Sequence, residues 1–186
     1  LVALDLSVEI ARYEADEEVQ DLLQASVGLN LGVDFLPGSF GFDDETATRP
    51  EVAAKVLWLD AFTANVDRSW RNPNLLVWHG DLWVIDHGAS LYFHHNWDGG
   101  AERSRSPFPA IRDHVLLPFS PGIRELDAEL AARLTPEVIH AIVGLIPAEW
   151  LGDVPRFADV EAHRAGYADY LLARLAAPRA FAEEAA

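Results

Sequence analysis

Cysteine and methionine are absent from the chain, and lysine occurs once, at Lys55. Without cysteine there is no disulfide framework, no thiolate zinc site and no Cys nucleophile. A cysteine-free chain suits a reducing compartment, and the cytoplasm is the expected location. The missing methionine removes the residue that a start codon supplies, and predicts a processed, trimmed or fragmentary chain. No apolar run reaches the roughly 18 to 20 residues of a membrane span, and no basic stretch followed by an apolar block marks a secretory leader. Basic residues are scarce too: 14 Lys and Arg stand against 30 Asp and Glu, a formal net charge of −16. Nucleic-acid binding works by displacing counterions with positive side chains, so no direct nucleic-acid partner is expected. The same charge repels ATP, and a nucleotide site here would need Mg²⁺ and nearby arginines to offset it.

What is present is a chain of 186 residues, half of them hydrophobic, enough for one domain with a buried core. The pattern predicts an α+β fold with a strand-rich first third, a polar loop and hairpin, and then helices. Residues 1–16 read as a strand ending in an acidic loop, and EEVQDLLQAS as a short helix. Residues 27–36 read as a strand closed by a Pro37-Gly38 turn. Residues 50–65 are a helix with Pro50 at its first position, and Val52, Val56, Leu59 and Phe62 or Thr63 mark its apolar face. LLVW and LWVID flank a turn placed at Gly80-Asp81, and SLYFHH reads as a further strand. Residues 96–110 read as a polar, solvated loop carrying Arg103 and Arg105. GIRELDAELAARL is then a helix, Thr135 caps a second with Pro136 at its start, and the stretch from Phe157 to Pro178 forms the last.

The segment with the most chemistry is NVDRSWRNPNLLVWHGDLWVIDHG, residues 65–88. Asp67 and Asn72 share one loop, and Asp86 ends the second strand of the hairpin. A turn at Gly80-Asp81 sets Asp86 opposite Leu75 and His87 opposite Asn74, which folds the strand end back onto the loop. Two carboxylates and a carboxamide then converge. Mg²⁺ takes oxygen ligands and uses one or two protein groups with substrate phosphates, a role that suits Asn72 and Asp86. Asp67 is left to accept the proton of a hydroxyl nucleophile, the division of labour of protein-kinase chemistry. The plain alternative is a polar loop in which Asp and Asn are turn formers.

This segment resembles the catalytic segment of HipA-like kinases, whose loop reads N-x-D-R followed two residues later by K/R-N. Here those positions are Asn65, Asp67, Arg68, Arg71 and Asn72, and the IDHG of residues 85–88 is similar to the family's metal-binding Asp motif. SVGLNLGVDFLPG and YADYLLARLAAPRAF fit the small stand-alone bacterial HipA-like domain, so the resemblance covers nearly the whole chain. It implies a protein-kinase-like carboxy-terminal lobe over residues 43–186, and a remnant of the amino-terminal lobe with the inter-lobe linker over residues 1–42. It implies ATP-dependent transfer to a Ser or Thr hydroxyl of a protein substrate, with ATP and Mg²⁺ as cofactors. Asp67 would be the base, Arg68 would steady the loop, Asn72 and Asp86 would hold Mg²⁺, and residues 29–36 would meet adenine.

The chain departs from the family where a complete kinase carries a phosphate-binding loop and a strand lysine. Lys55 lies on the helix leading into the catalytic loop, the glycines at 28, 32, 38 and 41 make no phosphate loop, and no GxGxxG occurs. Weak ATP binding and little activity are therefore expected of these residues alone. A non-catalytic interaction module is the first alternative, with a protein partner covering the surface where a missing lobe would pack. A small-molecule kinase is the second. His79, His94 and His95 are not expected to converge on a metal, since neighbours on a strand face opposite ways; His87 is expected to orient Asp86. Trp78 and Trp83 suit the buried face of the hairpin, and the stripe Tyr167, Tyr170, Leu171 and Arg174 suits packing.

Overall fold

The computed structural model describes residues 1–5, 13, 16–46, 48–97, 100–152 and 154–185. The fold is mixed α and β, with two small antiparallel sheets. It divides into two compact units, Leu1–Pro37 and Gly38–Ala186. In the first, strand β1 (Val2–Leu4) pairs with β2 (Gly28–Asn30), Ala3 opposite Leu29. Helix α1 (Glu17–Ala25) lies between them in sequence, and its first turn is capped by the Asp16 carboxylate, which accepts the Glu18 N–H at 2.9 Å. The expected strand over 27–36 is thus shorter, and residues 31–36 run on without regular structure. Most of the acidic loop expected after β1 lies outside the described residues.

The second unit is organised around α2 (Pro50–Thr63). Its apolar positions are not confined to one stripe: Ala53, Ala54, Val56, Leu57, Trp58, Ala61 and Phe62 are buried, while Leu59 is 40 % exposed. The expected face through Leu59 is therefore corrected, and α2 is a central helix with packing on most sides. Its Ala53 and Val56 meet Phe42, Leu75, Val77, Val115 and Leu116 in one cluster. Its Leu57, Trp58, Ala61 and Phe62 meet Ile111, Ile123, Ile139, Leu171 and Phe181 in a larger one. The second cluster closes over helices α4 (Arg124–Arg133), α5 (Pro136–Gly144) and α7 (Val160–Leu175). In chain order these are preceded by the short α3 (Gly100–Ser104), interrupted by α6 (Ala148–Leu151) between α5 and α7, and followed by α8 (Ala180–Glu184). Thr135 caps α5 with Pro136 in its first turn, as its sequence predicts.

Strands β3 (Phe40–Gly41), β4 (Leu75–Trp78) and β5 (Asp81–Val84) form the second sheet, in that order. The hairpin forms, but its turn is His79-Gly80 rather than Gly80-Asp81. Trp78 pairs with Asp81 and Leu75 with Val84. Both turn residues take positive φ, 52° at His79 and 82° at Gly80, the backbone of a two-residue turn that matches strand twist. The pairing is displaced by two residues from the expected register, so every side chain keeps its face. That face, however, buries Leu75, Val77, Leu82 and Val84; Trp78 and Trp83 pack on each other on the opposite side, ring centroids 5.5 Å apart.

Two further expectations are corrected. Tyr92–His95 is a 3₁₀ turn, not a strand, entered through Leu91 at φ 57°. The stretch expected as a loop contains α3 and a second 3₁₀ turn at Pro109–Asp113. After the last long helix, α8 sends Phe181 into the main core at 1 % exposure.

Candidate active site

The loop between α2 and β4 is fixed from below by one buried charge. Asp60, fully buried near the end of α2, accepts from Arg68 Nε at 2.5 Å, from Asn65 Nδ2 at 3.0 Å, and from His114 Nε2 at 2.9 Å. The Leu116 N–H donates to His114 Nδ1 at 3.1 Å, which leaves the ring proton on Nε2, facing Asp60. Burial pushes the Asp60 carboxyl up, but the His114 hydrogen bond and the Arg68 charge outweigh it and hold the group below its ordinary value.

Arg68 is itself buried and carries this anchorage outward. Its Nη1 donates to the main-chain oxygens of Asn74 at 2.5 Å and Ile85 at 3.2 Å. The guanidinium therefore joins α2, the start of β4 and the end of β5. Around it, Asn65 Oδ1 accepts the Asp67 N–H at 3.2 Å, and the Arg68 carbonyl accepts the Val115 N–H at 3.0 Å. Ser69 and Asn72 exchange main-chain hydrogen bonds at 3.2 and 3.1 Å, closing the loop tip.

Above this frame, Asn72 Nδ2 donates to Asp67 Oδ2 at 2.8 Å. The carbonyl oxygen of Asn72 is consequently the atom it can offer to a cation. Asn74 Nδ2 donates to the Asp67 carbonyl at 2.9 Å, and the Asn74 carbonyl accepts the Ile85 N–H at 3.0 Å. Asp86 follows at φ 46°, with its Oδ1 accepting the Gly88 N–H at 3.1 Å. Asn74 is also left-handed, at φ 48°. Asn and Asp tolerate that region best, at a cost of about 1 kcal/mol or more each. The two left-handed residues stand where β4 begins and β5 ends.

Asp67 and Asn72 are thus in direct contact, Arg68 lies beneath them, and Asp86 is connected to Asp67 through Asn74 and Ile85. His87 is held below its ordinary value by burial and the Arg68 charge, against the pull of Asp60 and Asp86. Among the described residues no group of three or more His, Asp or Glu is placed to hold a metal. His94 and His95 do converge, Nε2 to Nε2 at 3.2 Å, because a 3₁₀ turn sets them side by side.

Asp60 has no part in the expectations from sequence, and His114 and Asn74 acquire their parts, as partner of Asp60 and as donor to the Asp67 carbonyl, only in the fold. The signal for Asp60 was present: a carboxylate inside the apolar run VLWLDAF has to find a cationic partner if the helix is buried. Comparison with protein-family models, with curated proteins and with solved structures finds no match to this chain.

Proposed function

We propose that the chain is a HipA-like, Mg·ATP-dependent phosphotransferase acting on a Ser or Thr hydroxyl, with Asp67, Asn72 and Asp86 as its working groups. One observation carries this reading: buried Arg68 ties the loop of Asp67 and Asn72 to both strands that lead into Asp86. Such fixation has a purpose where groups on separate segments must act on one small target. Asp67 Oδ1 would accept the hydrogen of the acceptor hydroxyl, while the Asn72 N–H on Oδ2 keeps the carboxylate oriented. The proton passes to Asp67 as the acceptor oxygen bonds to the γ-phosphorus and the bond to ADP breaks. The Asn72 carbonyl and the Asp86 carboxylate would hold Mg²⁺, which supplies charge neutralisation of the phosphate oxygens.

Calorimetric titration of Mg·ATP into the chain tests the site. Weak binding that disappears in Asp86→Ala supports it; equal affinity in that variant removes Asp86 from the site. Asp67→Asn should keep nucleotide binding and lower transfer by about 10²- to 10⁴-fold, and unchanged transfer would remove Asp67 as the base.

A second reading is favoured by one feature of the first unit. Leu31, Val33 and Phe35 alternate along residues 31–36 at 71, 77 and 83 % exposure, an extended apolar row suited to a protein partner. On this reading the chain binds no nucleotide, and replacing the three by Ser abolishes any self-association seen in sedimentation.

A further inference from the structure

Helix α5 is apolar on two sides. Ile139 and Val143 turn inward and are buried in the main cluster with Ala168 and Leu171 of α7. Val138, Ala141, Ile142 and Leu145 fall at i, i+3, i+4 and i+7, the spacing that sets side chains on one helix face. Leu145, the C-cap residue, keeps right-handed helical backbone at φ −76° and so stays in line with the others. All four are exposed, with Val138, Ile142 and Leu145 at 37, 50 and 77 %. A single exposed leucine is ordinary on a protein surface, whereas a continuous apolar stripe along a helix marks a place of contact.

Charge decides what fits this stripe. Asp and Glu make up 30 of the 186 residues, yet residues 138–148 contain neither, and His140 is their one ionisable side chain. At 3.6 residues per turn, His140 lies about 150° from the centre of the stripe and Glu137 about 90°. A basic partner would be drawn to the acidic surface of a chain of net charge −16, not to this stretch. Two copies of the chain, in contrast, repel each other wherever acids meet and least where there are none. The stripe also matches itself. In an antiparallel contact about a two-fold axis between Ala141 and Ile142, Val138 meets the partner's Leu145 and Ala141 meets the partner's Ile142, small against large.

We infer that the chain pairs with a second copy of itself through α5, antiparallel about that axis. Val138, Ile142 and Leu145 together expose roughly 300 Å² in each copy. The apolar area covered is then about 600 Å², well under the ~1,600 Å² of a standard interface. The dimer is accordingly weak, with a dissociation constant of roughly 10 µM to 1 mM, and salt strengthens it by screening the repulsion between the copies. The inference does not depend on phosphotransfer.

The test is sedimentation equilibrium of the full chain from about 10 µM to about 1 mM, at low and at high NaCl. The mean mass should climb from one copy toward two, and high salt should tighten the association about threefold or more. Leu145→Glu, at a position 77 % exposed, should keep the thermal transition and weaken the association about tenfold or more. Because the chain has no cysteine of its own, single cysteines report the contact. Under oxidation, Ala141→Cys should form a linked dimer about tenfold faster than Ala132→Cys, at an exposed position on α4. Replacing Leu31, Val33 and Phe35 by Ser should leave the association unchanged, the opposite of what a partner surface on residues 31–36 requires. A single copy throughout the range, association that weakens with salt, or association lost in the triple Ser variant overturns the inference. So does association undiminished in a folded Leu145→Glu. Should Leu145→Glu fail to fold, the cysteines decide: equal rates at positions 141 and 132 overturn α5 as the contact.

Discussion

At the scale of single residues, Asp60 has the largest consequence, because three polar side chains depend on it and all are out of water. Asp60→Asn leaves the Arg68 guanidinium buried without its counter-charge, a change that costs about 3–5 kcal/mol where buried pairs have been broken. The pH dependence follows from the direction of the shift. A carboxyl held lower in the folded chain than in the unfolded one contributes its full stability above the unfolded value, about 3.9. The contribution is lost as pH falls through the lower folded value. Urea unfolding should therefore show the wild type well above Asp60→Asn at pH 7, with the gap narrowing below about pH 4. A gap that stays constant or widens in acid would mean that Asp60 is not ionised in the folded chain. The sequence displayed Asp67, Asn72 and Asp86 because loop residues are chosen for their chemistry. It concealed Asp60 and His114 because their meaning lies in a contact across 54 positions, which no local pattern encodes.

Among the elements, α2 and α7 are joined by a second buried arginine. Arg174 on α7 donates to the carbonyls of Phe62 at 2.7 Å and Ala61 at 2.8 Å, and to Ser104 at 3.0 Å and Ser106 at 3.1 Å. The first two belong to the last turn of α2, whose carbonyls have no partner within the helix. The negative end of the α2 dipole therefore stands where a carboxylate would otherwise be needed. Arg174→Met keeps the stem and removes every donor, so three buried carbonyls and one partly buried one, that of Ser106, lose a partner. The expected loss is about 2–4 kcal/mol in urea unfolding, and a loss under about 0.5 kcal/mol, ordinary for a surface change, would show that water replaces the guanidinium. The hairpin gives a smaller and cleaner test. Gly80 has open space where a Cβ would stand, and a φ of 82°. Gly80→Ala should then cost about 1 kcal/mol through backbone strain alone. The strands were legible from their β-branched and aromatic residues, but the turn position was not. Gly80-Asp81 and His79-Gly80 are equally good on residue type, and both registers turn Leu75, Val77, Leu82 and Val84 to the same face, so the inward pattern alone does not choose between them.

For the whole molecule, apolar burial is distributed very unequally between the two units. Both hydrophobic clusters are drawn from residues 42–185, whereas among the described residues of Leu1–Pro37 only Leu36 is buried. Half the sequence is hydrophobic, and that composition announced a core without saying where it lies. The alternation along residues 27–36 resembled a strand with one buried face, yet β2 ends at Asn30 and the following apolar side chains face solvent. Stability should follow the core. A chain beginning at Gly38 retains α2, its two clusters, the three-stranded sheet and the Asp60–Arg68 anchorage. It should unfold in urea as one cooperative transition, with a midpoint close to that of the full chain and a slope reduced in proportion to the smaller surface exposed. Brief treatment with a protease of broad specificity should likewise degrade the first unit and spare the second. A shortened chain without a cooperative transition would mean that the core of Gly38–Ala186 is not self-sufficient. A shortened chain that folds but loses Mg·ATP binding would locate part of the nucleotide contact in the first 37 residues, and separate the requirement for binding from the requirement for folding.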